Sequence, residues 1–146
     1  MAILTVIFDL YNVLYPYTDE AEFVVAELRA RKIKLAAISS MSPEKVNEIV
    51  MKYGIEMVLS AQETPYSKRE SMLYHFFLDK FGLKARECMI VDDDLEKLGA
   101  AKKVGIRTCW LNIRGGSVDG AAGKIDCVID ALKELITCLS SRAMSD

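Results

Sequence analysis

The chain predicts an α/β fold, a three-layer, doubly wound domain around a mainly parallel sheet. Short runs of Ile, Val, Leu and Ala lack polar alternation, as strands covered on both faces require. Amphipathic helical stretches separate these runs, and no repeat, linker or composition break interrupts the alternation. With 146 residues, 51% of them apolar and 27% charged, the chain has the length of one domain and excludes a disordered polymer. A formal net charge of -2 gives no basic field for nucleic acid or an anionic membrane. No apolar run approaches the ~20 residues a membrane span needs. Met1–Phe8 has no basic leader and reads as the approach to a strand rather than a signal peptide. The core domain is expected over 1–139, with 140–146 a frayed tail.

Taken in order, Ile3–Phe8 reads as a strand buried on both faces, followed by Asp9 and Leu10. A carboxylate at such a strand end is costly to desolvate unless something uses it. Ligands bind at the carboxyl ends of strands in open α/β sheets, so Asp9 is a candidate for chemistry; a turn or helix cap is the alternative. A loop with Asn12 and Pro16 leads to a helix from Asp19 to about Arg31, acidic first and basic last, with Val24 and Leu28 inward. A second strand, Ile33–Ile38, ends in Ser39-Ser40. Ser42-Pro43-Glu44 starts a helix with Ser as N-cap; Val46, Ile49, Val50 and Tyr53 form its stripe and Gly54 closes it. Met57–Leu59 is a short third strand, and a polar loop over Gln62–Ser67 delivers Lys68. A helix is expected from about Lys68 to Phe81, with Leu73, Phe76, Phe77 and Phe81 inward and Gly82 at its end. The fourth strand, Cys88–Val91, runs into Asp92-Asp93-Asp94, and a helix over Leu95–Val104 ends at Gly105. The fifth strand is Ile106–Leu111; Arg114–Gly123, with four glycines, is a flexible loop. A short strand, Asp126–Ile129, precedes a last helix carrying Leu132, Leu135, Ile136 and Leu139.

The single histidine, His75, borders an apolar helix face and is expected to pack, which removes Ser-His, Cys-His and multi-His zinc chemistry. Cys88, Cys109, Cys127 and Cys138 show no CxxC spacing, and the first three lie in strand-like runs as small hydrophobes. A reduced, cytoplasmic protein is the expectation.

Four strand ends or nearby loops therefore carry polar groups: Asp9, Ser39-Ser40, Lys68 and Asp92-Asp93-Asp94. Each has an ordinary alternative: turn residues, a solvated lysine, an N-cap with solvated neighbours. Together, through FDLYNV (8–13), AISS (36–39 and 40), Lys68 and MIVDDDLEKLGAAKKVGIRT (89–108), they resemble the four motifs of the haloacid dehalogenase (HAD) superfamily across nearly the whole chain. The resemblance implies that Asp9 is a nucleophile forming an aspartyl-phosphate and a ligand of Mg²⁺, with the backbone carbonyl of Tyr11 and with Asp93. It implies that Ser39, helped by backbone N–H groups near Ser40, binds the phosphate, and that Lys68 neutralises Asp9 and the transferring group.

The first motif departs from the usual Asp-x-Asp-Gly-Thr: Tyr11 stands for the second Asp, which protonates the leaving oxygen and then activates water. A phenol, ordinarily ionising near ~10, can donate a proton but is a poor base at neutral pH. General acid–base catalysis is worth roughly 10²–10⁴-fold, so phosphatase turnover is expected to be weak or specialised. Asn12 for Gly is mild, and Lys97 replaces an acid often found four residues beyond Asp93. Asp-x-Tyr is also the pattern of the dehalogenase branch, which needs no leaving-group acid but uses a large cap. Neither the Asp9–Ser39 nor the Ser40–Lys68 interval has room for one, so the chain resembles a capless member. An uncapped site suits a bulky or macromolecular phosphorylated substrate, or an oligomeric partner that covers it. Tyr11, Tyr15 and Tyr17 either hold such a molecule or close the sheet end. Three readings follow: a Mg²⁺-dependent phosphohydrolase, a silent HAD-fold binding domain, and a 2-haloacid dehalogenase-type hydrolase.

Overall fold

The computed structural model describes residues 2–119, 123 and 125–140. The apolar runs form six strands: β1 (Thr5–Phe8), β2 (Lys34–Ser39), β3 (Met57–Ser60), β4 (Cys88–Asp92), β5 (Arg107–Leu111) and β6 (Cys127–Ile129). They make one sheet in the order β3-β2-β1-β4-β5-β6, and every neighbouring pair is parallel. The order reverses between β1 and β4, so their carboxyl ends flank the crevice where open α/β sheets bind ligands.

Among the described residues, five α-helices connect or follow the strands: α1 (Asp19–Ala30), α2 (Pro43–Tyr53), α3 (Ser71–Phe81), α4 (Leu95–Lys102) and α5 (Leu135–Leu139). One face of the sheet packs Val6 and Phe8 of β1 against Val24 and Leu28 of α1, Val46 and Ile49 of α2, and Leu135 of α5. The other packs Ile7 and Ile90 against Leu73 and Phe77 of α3 and Leu98 of α4. Val6, Ile7 and Phe8 are all fully buried, which is why β1 reads as a continuous apolar run.

Local signals set most boundaries as anticipated. Thr18 caps α1 by accepting the Ala21 N–H at 3.0 Å, and Ser42 caps α2 with Pro43 at its first turn. Gly54 ends α2 in the left-handed region at φ 67°. Four expectations change. Lys68 does not open α3; it sits in a turn three residues ahead of Ser71, where the Ser67 N–H donates to Glu70 at 3.2 Å. The buried stripe of α3 is Leu73, Tyr74, Phe77 and Leu78, while Phe76 and His75 face outward. The cause is Tyr74, whose hydroxyl donates to the Lys68 carbonyl at 2.6 Å and so draws that side of the helix onto the sheet. The last helical segment is a 3₁₀ turn, Leu132–Glu134, followed by the short α5, and Cys138 joins its buried side. Cys127 and Cys138 are disulfide-bonded, so the expected uniformly reduced set is corrected; Cys88 and Cys109 are free and buried. The predicted tail falls, apart from Ser140, outside the described residues, as does part of the glycine-rich loop. Among the described residues, no helix is long and apolar enough to cross a membrane.

Candidate active site

Backbone pairing carries the acids to one place. The Asp9 N–H donates to the Val91 carbonyl at 3.0 Å, which extends the β1–β4 ladder one residue past β1 and sets Asp9 beside the end of β4. Lys68 reaches in from the turn before α3, its side chain wholly buried. Its ammonium donates to Asp9 Oδ1 at 2.7 Å and to Asp92 Oδ2 at 2.8 Å. The second oxygen of Asp92 accepts the Asp94 N–H at 3.1 Å, so both of its oxygens are engaged and it serves as the anchor of Lys68. Asp94 in turn caps α4 by accepting the N–H groups of Glu96 and Lys97.

Asp93 faces the same cleft. Its Oδ2 accepts from Asn12 Nδ2 at 3.3 Å and lies 3.9 Å from the Arg114 guanidinium, while its carbonyl accepts the Trp110 indole N–H at 3.2 Å. Asn12 sits at φ 68°, the left-handed conformation that turns the loop back under the strand ends. The cleft has a volume of about 330 Å³ and is bounded by Asp9, Tyr11, Ser39, Asp93, Lys97 and Arg114, with Ser40 beside them. Ser39 Oγ accepts the Met41 N–H at 3.1 Å, the turn-stabilising role that had been the alternative, from within the cleft wall. Tyr11 is 55% exposed at the cleft, whereas Tyr15 packs edge-on against Tyr17 with ring centres 5.3 Å apart and takes a hydrogen bond from Lys45. The tyrosines thus divide: Tyr15 and Tyr17 pack on each other, and Tyr11 borders the cleft.

Burial sets the electrostatics. Desolvation pushes the Asp9 carboxyl up to about 6; Lys68 opposes the rise, Asp92 adds to it, and Lys97 opposes it again. At pH 7 Asp9 is therefore mostly ionised and poorly hydrated, a state suited to a nucleophile. Burial also works against the charge of Lys68, but Asp92 and Asp9 outweigh it and hold the ammonium above its ordinary range. Burial raises Asp93 too, partly offset by the Asn12 hydrogen bond. Carboxylate oxygens of Asp9, Asp92 and Asp93 lie within 4.8 Å of one another, a hard donor set that fits a divalent cation. Because Asp92 is committed to Lys68 and the Asp94 N–H, Asp9 and Asp93 are the two acids left for an ion.

Residues 15–105 match the sequence model of the haloacid dehalogenase-like hydrolases. The chain belongs to that family. Among curated relatives, the HAD-like chain is 23% identical over 139 residues to an (S)-2-haloacid dehalogenase of Pseudomonas sp. strain YL, covering 92% of this chain and 60% of that one. It is 28% identical over 126 residues to a phosphoserine phosphatase of Thermus thermophilus, covering 83% of this chain and 50% of that one. The chain thus spans between half and three-fifths of these relatives. The crystal structure of an L-2-haloacid dehalogenase superposes with a TM-score of 0.79 at 15% identity, covering 97% of this chain and 100% of the other, a likeness of fold.

Every residue singled out from the HAD motifs reaches the cleft or its wall: Asp9, Tyr11, Ser39, Ser40 and Asp93 border it, and Lys68 lies beneath it on Asp9. Sequence reasoning missed three others. Asp92 was named only as one of three acids at the end of the fourth strand, with no role of its own. Its signal was its place at the end of a fully apolar strand, since an acid buried there needs a cation. Asn12 and Arg114 contact Asp93 across 81 and 21 residues of sequence, and nothing local announces such partners.

Proposed function

We propose that this HAD-family hydrolase is a capless, Mg²⁺-dependent phosphohydrolase that works through an aspartyl-phosphate on Asp9. The observation that carries the reading is the buried Lys68 ammonium 2.7 Å from Asp9, with Asp93 alongside at the switch point of the sheet. Asp9 attacks phosphorus, the bond to the leaving oxygen breaks, and Tyr11 at the cleft mouth gives that oxygen its proton. Lys68 balances the charge of Asp9 and of the phosphoryl group. Ser39 and the backbone N–H groups near Ser40 hold phosphate oxygens. Mg²⁺ would be held by Asp9, Asp93 and the Tyr11 carbonyl, and would supply charge neutralisation at the phosphate when bound. Once the Tyr11 phenolate has recovered a proton from solvent, the neutral phenol is a poor base for the water that must cleave the acyl-phosphate, so hydrolysis of the intermediate is the slow step. The open mouth suits a bulky or macromolecular phosphate ester.

Phosphate release from an aryl phosphate with Mg²⁺ tests the proposal in wild type, Asp9→Asn and Tyr11→Asp. Wild type turns over, Asp9→Asn does not, and Tyr11→Asp gains roughly 10²-fold or more. A wild type that is inactive while Tyr11→Asp is active overturns turnover in favour of a binding domain on an intact scaffold. A second reading has its own observation: Tyr11 offers no base, and departure of halide needs no acid. Halide release from a 2-haloacid without Mg²⁺, lost in Asp9→Asn, would establish carbon–halogen hydrolysis instead.

A further inference from the structure

We infer that the chain, once reduced, holds a soft or borderline d¹⁰ cation such as Zn²⁺ between Cys109, Cys127 and Cys138, and that the Cys127–Cys138 disulfide is the closed state of this site. Cys109 of β5 and Cys127 of β6 are direct partners in the parallel register, so their side chains leave the same face of the sheet. α5 returns over that face and brings Cys138 down onto them. The three sulfur atoms lie within 4.8 Å of one another. They come from three different elements, and no CxxC spacing in the chain brings any two together.

The geometry of a sulfur-bound cation matches this cluster. Zinc–sulfur arms of about 2.3 Å place tetrahedral sulfurs about 3.8 Å apart, a spacing the pair reaches simply by parting when its bond is cut. A dithiol can cut it: two electrons and two protons pass to Cys127 and Cys138, and the dithiol becomes a disulfide. Binding then releases the thiol protons to solvent. Cys109 is a free, buried thiol whose proton must leave on binding. A coordinated cation removes that proton outright. Access is present as well, because Cys127 and Cys138 line a surface cleft with Asp130 and Glu134, which leaves the fourth coordination position to water or a carboxylate from that side. Cys88 lies on the opposite face of the sheet, in the other core cluster, and serves as the internal control.

The test is Co²⁺ titration of the fully reduced full-length chain without oxygen, followed by Zn²⁺. The expected result is an intense near-ultraviolet sulfur-to-cobalt band with the visible bands of a tetrahedral ion, saturating at one ion per chain and displaced by Zn²⁺. Cys109→Ser and Cys138→Ser each lose one sulfur's share of the band and weaken binding by more than the ~10–100-fold of an outer-shell change. Cys88→Ser binds as wild type, and the oxidised chain gives no band. Cys109→Ala, checked for folding by circular dichroism, repeats the Cys109 arm if the serine variant does not fold. The inference is overturned if the reduced wild type shows no charge-transfer band, or if Cys109 substitution leaves band and affinity unchanged.

Discussion

At the scale of single residues, the site rests on a lysine shared by two buried acids, and the second acid is where the chain departs most from a simple reading of its motifs. Lys68 and Asp92 have no side-chain exposure, and Asp9 has 8%. Removing one partner of such a cluster strands a charge, so Asp92→Ala is expected to lose about 3–5 kcal/mol in urea unfolding. Replacing both, Asp92→Leu with Lys68→Met, in an Asp9→Asn background should recover most of that loss while abolishing any chemistry at residue 9, because no buried charge is then left without its partner. Such a variant no more stable than Asp92→Ala would mean that the cluster holds the fold by some other route. Asp9 and Lys68 were legible as polar groups after a strand and a loop, whereas Asp93 was singled out from its two acidic neighbours only through the likeness to the HAD motifs. The engagement of Asp92 by Lys68 was not legible, because it depends on where a turn 59 residues after Asp9 comes to lie.

At the scale of elements, helix ends were readable where a side chain caps its own backbone, and misread where tertiary contacts decide. The Ser42-Pro43 start and Gly54 stop of α2 are local chemistry. Gly54→Ala must place a Cβ at positive φ and 3.1 Å from the Arg29 guanidinium, so a loss of about 1 kcal/mol, or roughly 3–4 °C in Tm, is expected. The stripe of α3 was displaced because hydropathy ranks Phe76 above Tyr74, whereas the Tyr74 hydroxyl has a carbonyl to reach. Phe77→Ala should therefore cost about 3–5 kcal/mol. Phe76→Ala, at a site 42% exposed, should stay within about 0.5 kcal/mol in the same denaturant series. The approach to β6 is pinned by Asp126, which accepts from Lys102 of α4 and from the Thr108 N–H of β5. Burial would raise its carboxyl, but these partners outweigh burial and hold it below its usual range. Its stabilisation is then fully present above the unfolded value of ~3.9 and fades as pH falls through the lower folded value. The Tm gap between wild type and Asp126→Asn should accordingly narrow below about pH 4. A gap that stays constant down to pH 2 would remove the ionised carboxylate from the account.

At the scale of the molecule, fold class was legible because a sheet covered on both faces leaves unbroken apolar runs, and strand order was not, because those runs are interchangeable to the eye. Pairing β1 with β4 is a choice of the whole chain, and it alone turns acids 83 and 84 residues apart into neighbours. The disulfide was hidden for the same reason: its cysteines meet only after β6 has joined the sheet edge and α5 has folded back. One arrangement already described gives this molecule a property of a different kind. The sole tryptophan, Trp110, is 5% exposed and spends its indole N–H on the carbonyl of Asp93. Its fluorescence is therefore an optical reading of the peptide unit that carries the cleft's outer acid. Emission that shifts with Mg²⁺ in wild type and not in Asp93→Asn would let ligand occupancy be followed without a dye, a label or a turnover assay.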